Sequence, residues 1–179
     1  MRRAAVLAAL LCLAFAGEAR AGMRMFSYDP ANAETRHAAG GLTFQFRQKL
    51  VFTTILNLRS TMGQATAYLA PADEKALGVG LSKLIGDNAP ERDLYEVKPD
   101  AEGAALIAAF CPGSQRAYMS FGRLRANRPL RVHVLGDTPA GGPAHLCRTL
   151  DFNFHGEWQL PKDGQQVQQS DLKRPRFPY

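Results

Sequence analysis

The stretch LTFQFRQKLVFTTILNLRS, residues 42–60, decides the fold. In its first part Leu42, Phe44 and Phe46 alternate with Thr43, Gln45 and Arg47, the period of two of a strand with one buried face. From residue 50 the run is richer in β-branched residues and apolar on both parities, as in a more central strand covered in part on both sides. A short strand at 25–28 precedes this stretch, and QATAYLA at 64–70 follows it after Met62. The chain therefore opens as an antiparallel meander.

The period then changes. In PADEKALGVGLSKLIGDN, Leu77, Leu81, Leu84 and Ile85 share one helical face, Asp73 and Glu74 stand in the first turn, and Gly86 is placed to cap the end. Gly78 and Gly80 each weaken such a helix by up to about 1 kcal/mol and would let it pack closely on a sheet. Their GVG lies inside the helical pattern, not between a strand and a helix start, so it is no phosphate loop. After the short strand RDLYEVKP, Asp100 caps a second helix, AEGAALIAAF, which Cys111-Pro112-Gly113 stops. Almost without a polar face, this helix is expected to be buried on more than one side.

Ala117, Met119 and Phe121 alternate with Tyr118 and Ser120, and the pattern resumes at Leu130, Val132 and Val134. A hairpin with Asn127-Arg128 as a tight turn is expected between them. In HLCRTLDFNFHGEW, Leu150, Phe152 and Phe154 point one way and Asp151, Asn153 and His155 the other. Cys147 shares the polar parity. Either the helix ending at Cys111 covers that face too, or a bulge near Arg148 shifts the register. The fold these elements predict is α+β, a mostly antiparallel sheet with two helices packed on it and one disulfide.

The ends bound the compartment. Arg2 and Arg3, an apolar run over 4–16, and Ala19-Arg20-Ala21 before Gly22 have the pattern of a cleaved signal peptide, residues 1–21. Residues 22–160 then form a single α+β domain, and 161–179, Gln-rich and then basic with prolines and aromatics, read as a flexible basic tail. Periplasmic or secreted localisation follows. Cys12 leaves with the signal, so Cys111 and Cys147 are left to form one disulfide, which excludes either sulfur as a nucleophile. A zinc site using these thiols with His145, His133 or His155 has none of the usual ligand spacings. No metal or other cofactor is expected.

Removing Arg2, Arg3, Arg20 and Glu18 lowers the net charge from +6 to +4. The excess sits in the second half, with ten basic and five acidic residues from Gly103 onward. Arg123, Arg125, Arg128 and Arg131 cluster around the expected hairpin as a weak anion-binding or partner-binding site. A phosphate-tracking surface gathers arginines on one face with aromatics to stack bases, whereas a hairpin splits them between faces and the ribonucleoprotein signature is absent, so nucleic acid is not the expected partner. An acidic ligand, anionic polymer or acidic protein is. No later apolar run is long enough to span a membrane.

Catalytic signatures are sparse. There is no G-x-S-x-G, P-loop, Rossmann fingerprint or zincin helix. His133, Asp151 and His155 occupy polar positions of the late strands and are the alternative, a small hydrolase or metal-dependent enzyme. Trp158, at a strand end, reads as a cap on the core edge, with a stacking platform for sugar or peptide as its other role. The leading expectation is a non-catalytic envelope or secreted binding protein with a basic hairpin as its contact.

Overall fold

The computed structural model describes residues 23–49, 52–62, 65–138 and 141–159. The expected signal peptide and basic tail lie outside the described residues. Eight strands follow the chain: β1 Met23–Pro30, β2 Leu42–Lys49, β3 Phe52–Ser60, β4 Thr66–Pro71, β5 Asp93–Val97, β6 Ala117–Phe121, β7 Leu130–Gly136 and β8 His145–Gln159. Each pairs antiparallel with the next, and β8 pairs with β1 from Arg24↔Gln159 to Pro30↔Phe152, which closes an up-and-down barrel.

Closure overturns the expected α+β sheet. The strands were legible one by one, but a sheet covered by helices on one face needs an apolar surface all along that face. Here the helices, none longer than ten residues among those described, cannot cover that face, while Thr43, Gln45, Asn57, Arg59, Arg131 and Asp151 hold the opposite, outward parity. The apolar parity of each strand is instead rolled inward. Phe26, Tyr28, Phe44, Phe46, Met119 and Phe152 are among the buried residues of one continuous core. Phe26 meets Phe46 and Phe154 edge to face, with ring centroids 4.8 and 5.3 Å apart. An apolar interior under a polar exterior is the reverse of a membrane-spanning barrel. Among the described residues no helix is long and apolar enough to cross a membrane.

Helices close one end. Helix α1, Ala33–Ala39, lies between β1 and β2, and α3, Ala101–Phe110, between β5 and β6. They pack on one another and insert Ala38, Ala39, Leu106, Ile107 and Phe110 into the core. The Asp100 carboxylate accepts from the Gly103 N–H at 2.7 Å, the expected cap. Against expectation, α3 is buried on one side only. Its other side is a row of exposed alanines, Ala104, Ala105, Ala108 and Ala109, small enough to be left in water.

The first expected helix is broken in two. A 3-10 turn, Glu74–Leu77, ends where Gly78 enters the left-handed region at φ 65°, and α2, Leu81–Ile85, restarts after it. Leu77 and Leu81 still pack as their spacing implies, covering Leu94, Tyr118 and Leu135 on the outside of the barrel.

β4 changes partners midway. Thr66, Ala67 and Tyr68 pair with Arg59, Leu58 and Asn57 of β3, and then Leu69, Ala70 and Pro71 pair with Val97, Glu96 and Tyr95 of β5. The first half of β3 therefore has no register partner in β4. The barrel wall parts there, at the end opposite the helices.

Candidate anion-binding mouth of the barrel

The mouth is built from strand ends. Phe121 pairs with Val132, so the β6–β7 connection is an eight-residue loop, 122–129, and not the tight Asn127-Arg128 turn expected. Asn127 takes φ 58°, a left-handed conformation that asparagine tolerates better than most residues, and this lets a longer loop form without glycine at its tip. The loop leaves Arg123, Arg125 and Arg128 exposed at the open end.

Two adjoining hollows lie beside this loop. The first, about 210 Å³, is walled by Ile55 of β3, Tyr95 of β5, Phe121 of β6 and Leu124 of the loop, with Thr53 and Asp93 at its edge. It sits where β4 deserts β3. The second, about 440 Å³ and more open, is lined by Pro90, Arg92, Arg123 and Arg125. Asp93, Gly122 and Arg123 border both. Tyr95 and Phe121 stack with centroids 4.9 Å apart and planes 10° from parallel, giving the first hollow a flat aromatic wall. Burial, helped by the Asp93 charge, raises the Tyr95 phenol, which stays a hydrogen-bond donor across the neutral range.

The arginines differ in how they are held. Arg92 is fixed by donating to the Asp87 and Ala89 carbonyls at 2.5 and 3.0 Å. Among the described residues, the ion pairs engage Arg24, Lys98, Arg116 and Arg131, but not Arg123, Arg125 or Arg128. Arg131 does not join the cluster. On the outside of β7 its Nε donates to Asp151 Oδ1 at 2.7 Å.

A second polar group closes the interior across the mouth. Arg24 shares the inward parity of Phe26 and lies over the Phe26 and Phe46 rings, 5.0 and 5.8 Å from their centroids. Its guanidinium donates to both Glu157 oxygens, at 2.6 and 2.9 Å, and to Gln48 Oε1. A register shift of β8 between Ser27 and Tyr28 of β1 sets Glu157 opposite Phe26, at the exposed rim of the mouth. The fork from Arg24 holds the Glu157 carboxyl below its usual range. Trp158, next in sequence, points outward, 44% exposed, with its Nε1 donating to Ser27 Oγ at 3.1 Å. It caps no core edge.

At the closed end the Cα atoms of Cys111 and Cys147 are 5.3 Å apart, at disulfide distance. Of the two explanations for the parity of Cys147, the bulge accounts for it: Val134 pairs with Arg148 and Leu135 with Leu146, leaving Cys147 as the extra residue. His145 Nε2 lies 3.6 Å from Cys147 Sγ, and ligand atoms of Cys111, His145 and Cys147 all fall within 4.8 Å of one another. Sulfurs joined to each other offer no thiolates to an ion. His133 and His155 are elsewhere.

The alternative catalytic set does not assemble. His133 Nδ1 meets Thr149 Oγ1 at 3.0 Å and its Nε2 faces Glu91; Asp151 pairs with Arg131; His155 Nδ1 meets Asp29 Oδ2 at 2.7 Å. These are three separate contacts. Sequence reasoning missed Arg92, Ile55 and Tyr95 as neighbours of the arginine loop, because only closure of the barrel brings β3, β5 and β6 together at one end. No family model, curated protein or solved structure matches the chain.

Proposed function

We propose that the chain is an exported, non-catalytic binding protein that takes an acidic ligand or partner at the mouth of its barrel. One observation carries the reading: Arg92, Arg123 and Arg125 line a single open hollow in which, among the described residues, Asp93 is the one lining carboxylate. Cations gathered beside low-dielectric walls focus an attractive field on anions. Arg123 and Arg125 are not spent on ion pairs among the described residues. Export is supported by the N-terminal pattern, and two cysteines at disulfide distance fit an oxidising compartment.

The test is retention on a phosphate-bearing matrix as salt is raised. Wild type is expected to elute late, and the Arg123→Ala/Arg125→Ala double variant early and with a shallower salt dependence. Equal elution of the two would overturn the reading. Amino-terminal sequencing of the protein recovered after expression checks export independently, with Gly22 as the expected first residue.

A further inference from the structure

Resting on the proposed anion site, the paired hollows identify its ligand more narrowly. We propose that the mouth binds a small amphipathic monocarboxylate, with one ring or a short apolar chain in the inner hollow and the carboxylate on Arg123 and Arg125. The inner hollow, at about 210 Å³, exceeds the roughly 150 Å³ that accommodates one benzene in an apolar cavity. Half-buried Leu124 and Tyr95 present apolar surface to this hollow beside polar Thr53 and Asp93, and the buried Ile55 and Phe121 lie behind, Phe121 stacked on Tyr95. Both hollows touch Arg123, which sets an arginine beside a ring seated in the inner hollow and suits a carboxylate carried on a short linker.

Asp93 sets the charge. Bordering both hollows, it repels a second negative group and selects a monoanion over a polyphosphate or dicarboxylate. Gly122 sets the passage. A Cβ built there meets nothing closer than the Pro90 carbonyl at 3.9 Å, so the backbone accepts a side chain, and the side chain stands where the two hollows join.

Calorimetric titration of the protein with 3-phenylpropionate, acetate, inorganic phosphate and 3-phenylpropan-1-ol separates the contributions. Burying the ring is expected to make phenylpropionate bind about tenfold or more tighter than acetate. The neutral alcohol should bind more weakly than the acid. Gly122→Val is expected to reduce phenylpropionate to the acetate level, and its thermal unfolding and circular dichroism check that it folds. Acetate and phosphate binding without a gain for phenylpropionate would overturn this inference and leave the anion site standing. Failure of every anion would overturn both, and an alcohol that binds as well as the acid would remove the arginines from the account.

Discussion

Nε2 of the buried His133 stands 3.6 Å from Oε2 of Glu91 and has no hydrogen-bond partner among the described residues. The pair ties the segment entering β5 to the outer face of β7, and Ser120 Oγ of the neighbouring β6 also donates to the Glu91 carbonyl at 2.6 Å. Burial lowers the His133 pKa; Glu91 and Asp151 act against that, and Arg131 adds to it. Below the unfolded value near 6.5 the unfolded chain therefore takes up the proton first. Stability is intact above that value and lost as pH falls towards the lower folded one. Urea midpoints measured from about pH 7.5 to 5 should decline in wild type and decline less in His133→Gln. A carbon-bound proton of the imidazole should titrate in NMR below 6.5.

Gly136 is where the two sulfurs find room. A Cβ there would come within 2.8 Å of Cys147 Sγ and closer still to Cys111 Sγ and Ser114 Oγ. Gly136→Ala is expected to destabilise by about 1–3 kcal/mol through overpacking and to slow closure of the bridge. The Cys111→Ala/Cys147→Ala variant should lose about 2–4 kcal/mol, and in that background the alanine at 136 should cost less. Denaturation midpoints of the four proteins give the coupling. Intact mass without reductant shows whether the bridge formed.

The fork between Arg24 and Glu157 should show in acid. The Glu157 carboxyl is held low chiefly by its hydrogen bonds to Arg24, so its contribution is full above the unfolded value near 4.5 and lost as pH falls through the folded one. Glu157→Gln is expected to cost about 0.5–1 kcal/mol at neutral pH, since the pair is partly solvated and Gln48 still accepts from the guanidinium over Phe26 and Phe46. Its stability should also fall less steeply than that of wild type below about pH 4.5.

Arg131 serves as the internal control. Its charge is engaged by Asp151 on the barrel exterior, so Arg131→Ala should leave retention on a phosphate matrix within error of wild type. Arg123→Ala and Arg125→Ala should each weaken it. Elution at matched salt distinguishes a localised site from a general effect of net charge.

The strands were legible because alternation survives in short segments: Leu42, Phe44 and Phe46, or Leu150, Phe152 and Phe154, announce their faces without help from the rest of the chain. Closure was not. It depends on Arg24 meeting Gln159 across almost the whole described chain, and on three register shifts, at Ser27/Tyr28, Gln45/Phe46 and Val134/Leu135, that bend the strands. The outward polarity of Thr43, Gln45 and Arg47 was visible but equally compatible with a solvated sheet face. For the site, the loop arginines stood out by composition. Their apolar neighbours Ile55 and Tyr95 look like any core residue until β4 is seen to leave β3.

That change of partner has a price in exposure. Closing a barrel normally removes every unpaired strand edge, yet Thr53, Thr54, Ile55 and Leu56 have no register partner in β4, which leaves alternate ladder groups of this stretch facing the gap. A second chain in extended form could dock there as an added strand. Pro71, ending β4 across the gap, has no N–H with which to join such a ladder, and the polar Thr53 and Thr54 make the stretch a poor template for aggregation. The gap in the wall is thus guarded against pairing with the protein's own copies.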